Sequence, residues 1–152
     1  PYDDDGGSSS GSAYVFVRIG TTWSLQSKLT ASDATERDYF GNAVAISGDT
    51  MVVGAHNDDD VGTDSGSAYV FVRVGSTWTE RQKVTAADGA ADDDFGYPVA
   101  IDGDTFVVGA DFTDDSGPES GSAYVFRVAL DLGDPCVDGS DCHSGFCVEG
   151  VC

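Results

Sequence analysis

One hexapeptide, GSAYVF, occurs three times in this chain, starting at Gly11, Gly66 and Gly121, so that it returns every 55 residues. When residues 11–65 are laid over residues 66–120 without a gap, 32 of 55 positions are identical. Identity at a fixed period is the signature of a tandem repeat, in which each unit buries its apolar surface against the next. The chain is therefore predicted to fold as stacked copies of one unit.

Each repeat contains four short apolar runs, for example GSAYVFVRVG, TWTERQKVT, FGYPVAID and DTFVVGA. The runs are rich in β-branched and aromatic residues, and the first alternates strictly from Ala68 to Arg73, which is typical of strands. Glycine-containing segments such as IGTT, VGST, SGDT and DGDT favour tight hairpins between strands. The unit is thus predicted to be a four-stranded antiparallel sheet, the pattern of a β-propeller blade.

The alternation in the hexapeptide strand places apolar side chains on both faces of the sheet. Ala68 and Val70 lie on one face, and Tyr69 and Phe71 lie on the other. A sheet that is apolar on both faces needs cover on both sides. Each blade is therefore predicted to pack between two neighbours.

The composition supports an all-β fold and excludes some partners. The chain has 23 Asp, 4 Glu and 2 Lys among 152 residues, so it favours turns and lacks the usual helix formers. A net charge of -20 argues against binding nucleic acid or an anionic membrane surface. No apolar run approaches the roughly 20 residues of a membrane span, so membrane insertion is not expected. Cations and basic partners are compatible with this charge.

The segments FGNAVAISGDTMVVGAHNDDDVGTDSGSAYVF and FGYPVAIDGDTFVVGADFTDDSGPESGSAYVF resemble FG-GAP repeats, the blades of integrin α-like propellers and of their bacterial and environmental relatives. The Phe-Gly pairs at 40–41 and 95–96 recur in register with the Gly-Ala pairs at 54–55 and 109–110. The resemblance covers residues 1–130. It implies a seven-bladed propeller, an extracellular setting, and a role in binding or adhesion without catalysis.

One feature of the integrin-like repeats is missing from this chain. Those repeats carry a calcium loop of the form D-x-D-x-D-G-x-x-D in an interval that holds only SGDT or DGDT here. The single carboxylate of Asp49 or Asp104 cannot supply the six to eight oxygens that calcium takes. The calcium site of the family is therefore not expected at this position.

The repeat region is assigned to residues 1–130. It comprises the units 11–65 and 66–120 and a partial unit, 121–130. Pro1 aligns with His56, which follows a Gly-Ala pair, and relatives commonly read Gly-Ala-Pro at this junction. We therefore expect a Phe-Gly strand and a Val-Val-Gly-Ala strand upstream in a longer parent.

Counted from Phe-Gly, the blades of this region form an incomplete propeller. Two strands of a first blade (11–30), a complete second blade (40–85) and three strands of a third (95–128) are expected. A ring of seven such units would need roughly 385 residues, so further blades or other copies must cover the end faces.

All four cysteines fall in the tail, residues 131–152, which is predicted to be a small disulfide-rich segment. They are Cys136, Cys142, Cys147 and Cys152. Structural zinc is the weaker alternative because no C-x-x-C pair is present. Disulfides predict an oxidising, extracellular compartment, and the three possible pairings remain open.

Acidic loops recur before each hexapeptide and are the candidate metal sites. Several carboxylates on one short loop favour a cation, and calcium is the one cofactor considered. The alternative is a solvated, aspartate-rich turn that keeps the protein soluble. The candidate ligands are Asp3, Asp4, Asp5, Asp58, Asp59, Asp60, Asp64, Asp114, Asp115 and Glu119.

A second acidic set precedes each Phe-Gly and is predicted to form turns or caps. Its members are Asp33, Asp38, Asp88 and Asp93.

The remaining chemical side chains are interpreted as structural. His56 and His143 stand in different modules without a recurrent nucleophile, so both are expected to be surface residues and no enzyme activity is predicted. Trp23 and Trp78 occupy equivalent repeat positions and are expected to pack in the core or at a blade edge. Stacking of exposed tryptophans on sugars is the alternative.

Three functions follow from these observations. The first is a non-enzymatic extracellular scaffold for binding or adhesion, whose partners are the remaining repeats of a longer parent and an extracellular protein or glycan. The second is a subunit of a fibre or surface layer, in which copies of the chain dock blade to blade and edge to edge. The third is the accessory propeller of a larger secreted enzyme.

Overall fold

The computed structural model describes residues 1–114 and 116–129, which form nine strands and no helix. The strands build three antiparallel sheets, which we call the first, second and third blades. The all-β, blade-type fold predicted from the repeat is confirmed. The first blade pairs β1 (Ala13–Ile19) with β2 (Thr22–Leu29); the second has the order β3 (Ala43–Ser47), β4 (Thr50–Ala55), β5 (Ser67–Val74), β6 (Thr77–Val84); the third has the order β7 (Phe95–Asp102), β8 (Thr105–Ala110), β9 (Ser122–Arg127).

The predicted disulfide segment with its four cysteines lies outside the described residues, as does Asp115. Over the described ranges, no helix has the length and apolar character needed to cross a membrane.

Four of the strand pairs are joined by two-residue loops that begin with glycine. Gly20, Gly48, Gly75 and Gly103 have φ values of 60°, 58°, 64° and 60°. A residue at the first position of such a loop needs a positive φ, which glycine adopts without steric cost. The four turn segments identified in the sequence are therefore confirmed as hairpin loops.

Neighbouring blades pack face to face through two apolar cores. We call the face that carries Tyr69 and Phe71 the back face of a blade and the face that carries Ala68 and Val70 the front face. Tyr69 and Phe71 share a core with the front face of β1, and Ala68 and Val70 share a second core with β8. The front face of each blade thus packs on the back face of the next.

The Phe-Gly pair anchors each blade to the preceding one. Phe40 and Phe95 are fully buried. Gly11 forms a parallel β-bridge with Phe40, and Gly66 forms the same bridge with Phe95. A Cβ atom on Gly66 would meet the carbonyl oxygen of Phe95 at 1.9 Å, so the approach requires glycine. The first residue of the hexapeptide therefore positions the next blade.

The two tryptophans differ although their repeat positions are equivalent. Trp78 is 8% exposed, and its Nε1 donates a hydrogen bond of 2.9 Å to Gln26 Oε1 of the first blade. Trp23 is 64% exposed. The prediction that both pack is right for Trp78 and wrong for Trp23, because the burial comes from the preceding blade. Within the described residues no blade covers the back face of the first.

Candidate functional site

Acidic residues from two loops meet around one lysine between the first and second blades. Lys83 lies on β6, and its Nζ is 2.6 Å from Asp33 Oδ2, 3.1 Å from Asp58 Oδ2 and 2.5 Å from Asp60 Oδ2. Asp33 follows β2 of the first blade, whereas Asp58 and Asp60 lie in the loop between β4 and β5. We call Asp33, Asp58, Asp60, Tyr69 and Lys83 the Lys83 cluster. It joins two blades by charge.

Asp58 is buried in this cluster and fully engaged in hydrogen bonds. The Tyr69 hydroxyl donates to Asp58 Oδ2 at 2.7 Å and lies 2.8 Å from Asp33 Oδ1, and Ser67 Oγ donates to Asp58 Oδ1 at 3.1 Å. Asp58 is only 4% exposed. Burial of a carboxylate is costly unless charged and polar partners compensate it, and these partners do so.

Hydrogen bonds within the cluster favour the charged forms of Asp33 and Lys83. Burial favours a higher pKa for Asp33, but hydrogen bonds from Lys83 and Tyr69 outweigh it and lower the pKa. Burial opposes the charge of Lys83, yet bonds to Asp33 and Asp60 raise its pKa. Burial and the carboxylate of Asp58 raise the pKa of the Tyr69 hydroxyl. Asp33 and Lys83 therefore stay charged at neutral pH, and the Tyr69 hydroxyl is a neutral donor.

The first blade carries a more exposed copy of the same arrangement. Lys28 Nζ bonds Asp3 Oδ1 at 3.1 Å and forms an ion pair with Asp5, and the Tyr14 hydroxyl donates to Asp3 Oδ2 at 3.0 Å. Hydrogen bonds from Lys28 and Tyr14 lower the pKa of Asp3. Lys28 and Lys83 are the two lysines of the chain, 55 residues apart. Each lysine neutralises carboxylates of the acidic loop that precedes the hexapeptide strand of its own blade.

The third blade departs from this pattern. Thr113 stands where the second blade has Asp58, and the counterpart of Lys83 is Asp138, which lies outside the described residues. An open cleft of about 690 Å³ lies between the loop that joins the second and third blades and the loop between β8 and β9. Its acidic lining consists of Asp88, Asp92, Asp93, Asp94, Asp114 and Glu119.

Asp94 is the carboxyl most affected by this acidic surrounding. Burial and the neighbouring carboxylates of Asp64, Asp111, Asp92 and Asp93 raise the pKa of Asp94 to about 6. Its backbone is left-handed, with a φ of 56°. Part of the Asp94 population is therefore protonated in mildly acidic solution.

One predicted metal ligand in each acidic loop has a structural role. An Oδ1 atom of Asp4 accepts a hydrogen bond from the amide of Ser9 at 2.7 Å, and Asp59 does the same for Asp64 at 2.8 Å. Asp114 accepts from the amide of Glu119 at 2.7 Å. The three amides belong to residues with positive φ at one repeat position. These aspartates close the loops, which the alternative of an acidic turn had predicted.

Asp64 also stands apart from the Lys83 cluster. Its Oδ1 accepts a hydrogen bond of 2.8 Å from Asn57 Nδ2. Among the described residues, the group of three carboxylates whose oxygen atoms all come within 4.8 Å of one another consists of Asp33, Asp58 and Asp60. The structure thus brings together two of the four predicted ligands of this loop and adds Asp33, which the sequence had assigned to a turn.

The second acidic set is divided between two roles. Asp38 accepts hydrogen bonds from the amide of Thr35 at 2.6 Å and from its hydroxyl at 2.9 Å, so its predicted turn role is right. The turn role was wrong for Asp33 and Asp88, whose carboxylates bind the tyrosine hydroxyl of the next blade. The Tyr124 hydroxyl donates to Asp88 at 2.8 Å. Both aspartates reach forward because they follow the last strand of their own blade.

The Lys83 ammonium occupies the centre of the three carboxylates where a metal ion would lie. Calcium takes six to eight oxygen ligands and would have to displace this ammonium. The predicted calcium site therefore stays a prediction, and the geometry favours neutralisation by lysine in the first two blades.

His56 is less exposed than expected. Its ring stacks on Tyr39 with 5.5 Å between centroids, and its Nδ1 is buried without a hydrogen-bond partner among the described residues. Burial lowers the pKa of His56 although Asp64 opposes this effect. His56 is thus a partly exposed residue, and the sequence alone does not show that its ring stacks on Tyr39. His143 lies outside the described residues.

Sequence comparison assigns the repeats to a family. The FG-GAP repeat family matches residues 23–71 and 78–126, which together exceed half of the chain. A comparison with curated proteins found no match. The matched segments contain both Phe-Gly pairs that anchor the blades and both Gly-Ala pairs that end β4 and β8. The chain belongs to the FG-GAP repeat family.

Proposed function

We propose that this chain is a non-enzymatic, extracellular scaffold whose blades bind neighbouring blades and partner proteins. The exposed back face of the first blade carries the proposal. Tyr14 and Phe16 are 49% and 51% exposed there, whereas their counterparts Tyr69 and Phe71 are 0% and 4% exposed against the first blade. A contiguous apolar sheet face of this kind is typical of a protein interaction surface.

The partner is defined by what covers the equivalent face inside the chain. Tyr69 and Phe71 pack on the alanine and valine side chains of Ala13 and Val15. A further FG-GAP blade presents the same small side chains, so the remaining repeats of a longer parent are the best partner. An extracellular protein or glycan is the partner proposed for the loops. The cysteine pattern and the family support the extracellular setting.

A subunit of a self-assembling fibre is the second candidate, favoured by the front face of the third blade. Val125 is 70% and Val107 is 37% exposed, whereas their counterparts Val70 and Val52 are fully buried against the third blade. The front face of the third blade is thus complementary to the back face of the first. Copies that dock head to tail through these faces would form a ring or an open filament.

The scaffold proposal is tested by measuring whether the back face is open in solution. An environment-sensitive dye that binds apolar surface should bind the folded chain, and the double change Phe16→Asp with Trp23→Ser should reduce binding while unfolding stays cooperative. A folded chain that fails to bind the dye would overturn the proposal.

Light scattering with and without a calcium chelator tests the fibre. Large assemblies that fall apart on Val125→Asp would support it, and their collapse on chelation would place metal at the acidic loops. A 15.7 kDa monomer whose mass does not change when the chelator is added would contradict both the fibre hypothesis and the proposed metal site.

A further inference from the structure

We propose that the open edge of β1 is an acceptor site for a β-hairpin with the sequence pattern of β3 and β4, residues 43–55. Within the described residues, β1 pairs with β2 alone, so its other edge offers backbone donors and acceptors. An apolar groove of about 400 Å³ runs along this edge. Its lining includes Tyr14, Val15, Phe16, Val44, Ile46 and Met51. The inference does not depend on the scaffold role proposed above.

The other two copies of the hexapeptide show what binds at this edge. In the second blade β4 pairs there with β5, placing Val52 opposite Val70 and Gly54 opposite Ala68. The third blade repeats this register between β8 and β9. Since β1 starts with the same hexapeptide, a strand of the type T-x-V-V-G-A fits its edge in the same register. The valine directly before the glycine would then pair with Tyr14 across the two strands, and the glycine would pair with Ala13.

The floor of the groove fits the first strand of such a hairpin. In the third blade, Val99 and Ile101 of β7 pack into the core shared with the second blade. Their counterparts on β3, Val44 and Ile46, are 59% and 58% exposed. No strand of the described part of the chain lies against them. A hairpin seated on the edge of β1 would cover both side chains, as β3 and β4 cover β7.

A close backbone approach makes glycine a requirement at one position of the hairpin. A Cβ atom on Gly54 of β4 would meet the carbonyl oxygen of Gly96 in the next blade at 1.9 Å. The counterpart of Gly96 is Gly41, which lines the groove. A side chain on the glycine of the incoming hairpin would therefore collide with the backbone at Gly41.

An arginine at the end of the groove adds a charged contact. In the second blade Asp49 of the β3–β4 loop accepts a hydrogen bond from Arg73 Nε at 2.7 Å, and its carbonyl accepts from the Arg73 amide at 2.7 Å. Arg18 has the position of Arg73 in the first blade, and its Nε donates to its own hairpin carbonyl, Gly20 O, at 2.8 Å. Arg18 is exposed, so it can turn to the aspartate of an incoming hairpin.

The proposed occupant is a hairpin that is not already part of a blade, because a second folded copy has no unpaired β3–β4 hairpin. Each β3–β4 hairpin is already paired with β5 through its second strand. A second copy could reach the groove only by unfolding its middle blade. A separate segment of this sequence type meets no such cost.

The test uses the full chain and a labelled peptide, AVAISGDTMVVGA, with the sequence of residues 43–55. Fluorescence anisotropy should show saturable binding of one peptide per chain, and hydrogen exchange should show new protection of the β1 amides. A chain that does not bind the peptide, or that binds it without protection of β1, would refute the proposal. If residues 130–152 or another copy of the chain occupied the groove, the peptide would not bind there, and this result would also refute the proposal.

Two matched variants test the register and the charge. A peptide with valine at the place of Gly54 should bind at least about tenfold more weakly, because its side chain would collide with the backbone at Gly41. The chain variant Arg18→Glu should also lose about tenfold affinity, and a peptide with lysine at the place of Asp49 should recover it. If the valine peptide bound as tightly as the original peptide, or if Arg18→Glu left the affinity unchanged, the proposed register of the hairpin on β1 would be contradicted.

Discussion

Lys83 donates a hydrogen bond from Nζ to Asp33 Oδ2 over 2.6 Å, across the boundary between the first and second blades. The same ammonium bonds both carboxylate oxygens of Asp58 and forms an ion pair with Asp60. Apolar packing between blades is non-directional. The hydrogen bond from Lys83, in contrast, forms only when the loop after β2 places Asp33 within reach of the ammonium. The cluster thus adds orientation to an interface that the apolar faces stabilise.

The change Lys83→Met tests the contribution of the cluster to stability. Removal of the ammonium leaves the buried Asp58 carboxylate beside Asp33 and Asp60 without a cation, and about 2–3 kcal/mol of unfolding free energy should be lost. The measurement is urea unfolding followed by tryptophan fluorescence. Lys28→Met is the matched control, because Lys28 and its partners are more exposed and should contribute much less to stability. Equal losses at the two lysines would show that burial of the cluster is irrelevant.

The same variant gives a test for calcium. Without the ammonium, the three carboxylates of the Lys83 cluster repel one another and share a small volume, which favours a divalent cation. Millimolar calcium should therefore raise the urea midpoint of Lys83→Met and leave that of the parent chain unchanged. Stabilisation of both proteins by the same amount would mean that calcium binds elsewhere.

Removal of one hydroxyl tests the buried hydrogen bonds of the cluster. Tyr69→Phe keeps the ring against Phe40, with 5.4 Å between centroids, and deletes the donor to Asp58 and Asp33. About 1–3 kcal/mol should be lost because Asp58 stays buried with one partner fewer. Tyr14→Phe removes the same donor at the exposed copy and should cost under about 0.5 kcal/mol. Similar effects from both changes would argue against a role for burial.

The architecture was predictable because it depends on periodicity and local chemistry. The 55-residue period gave the blades, the alternation around Tyr69 gave two apolar faces, and glycine at positions such as Gly48 gave the hairpins. Each of these signals comes from residues close together in the chain. They also appear in more than one repeat, which makes chance agreement improbable.

The site was less predictable because it is assembled between blades. Asp33 and Asp58 approach one another only when the first blade packs on the second, and no local pattern reports that packing. The available signal was the pair Lys28 and Lys83, both lysines of an acidic chain at one repeat position. The exposure of Trp23 was missed for a similar reason, since a neighbouring blade decides whether that ring is covered.

A contrast between two glycines separates steric from conformational requirements. Gly54→Ala places a Cβ atom 1.9 Å from the carbonyl oxygen of Gly96, so the second and third blades must move apart. The loss in unfolding free energy should reach about 3 kcal/mol or more. Gly20→Ala has open space around the new Cβ atom and should cost only about 1 kcal/mol, from its φ of 60°. The urea midpoints of the two variants measure the difference. Equal midpoints would show that the second and third blades can move apart at little cost in free energy.

Asp94 should make the stability of the chain decrease as the pH rises through mild acidity. Its pKa is about 6 in the folded chain and near its ordinary value of 3.8 when unfolded, because burial and neighbouring carboxylates oppose its charge. Between these values the folded state binds more protons, so the contribution is full below about pH 4 and is lost as the pH passes about 6.

Asp94→Asn isolates this effect, because asparagine resembles the protonated acid and tolerates the left-handed backbone at this position. Unfolding free energies should be similar for the variant and the parent chain near pH 4, and the variant should be the more stable of the two at pH 7. Carboxyl groups with a lowered pKa, such as Asp3 and Asp33, are present in both proteins, so their effects cancel in the difference. A difference that stays constant across this range would show that the acidic cleft does not disfavour the charge of Asp94.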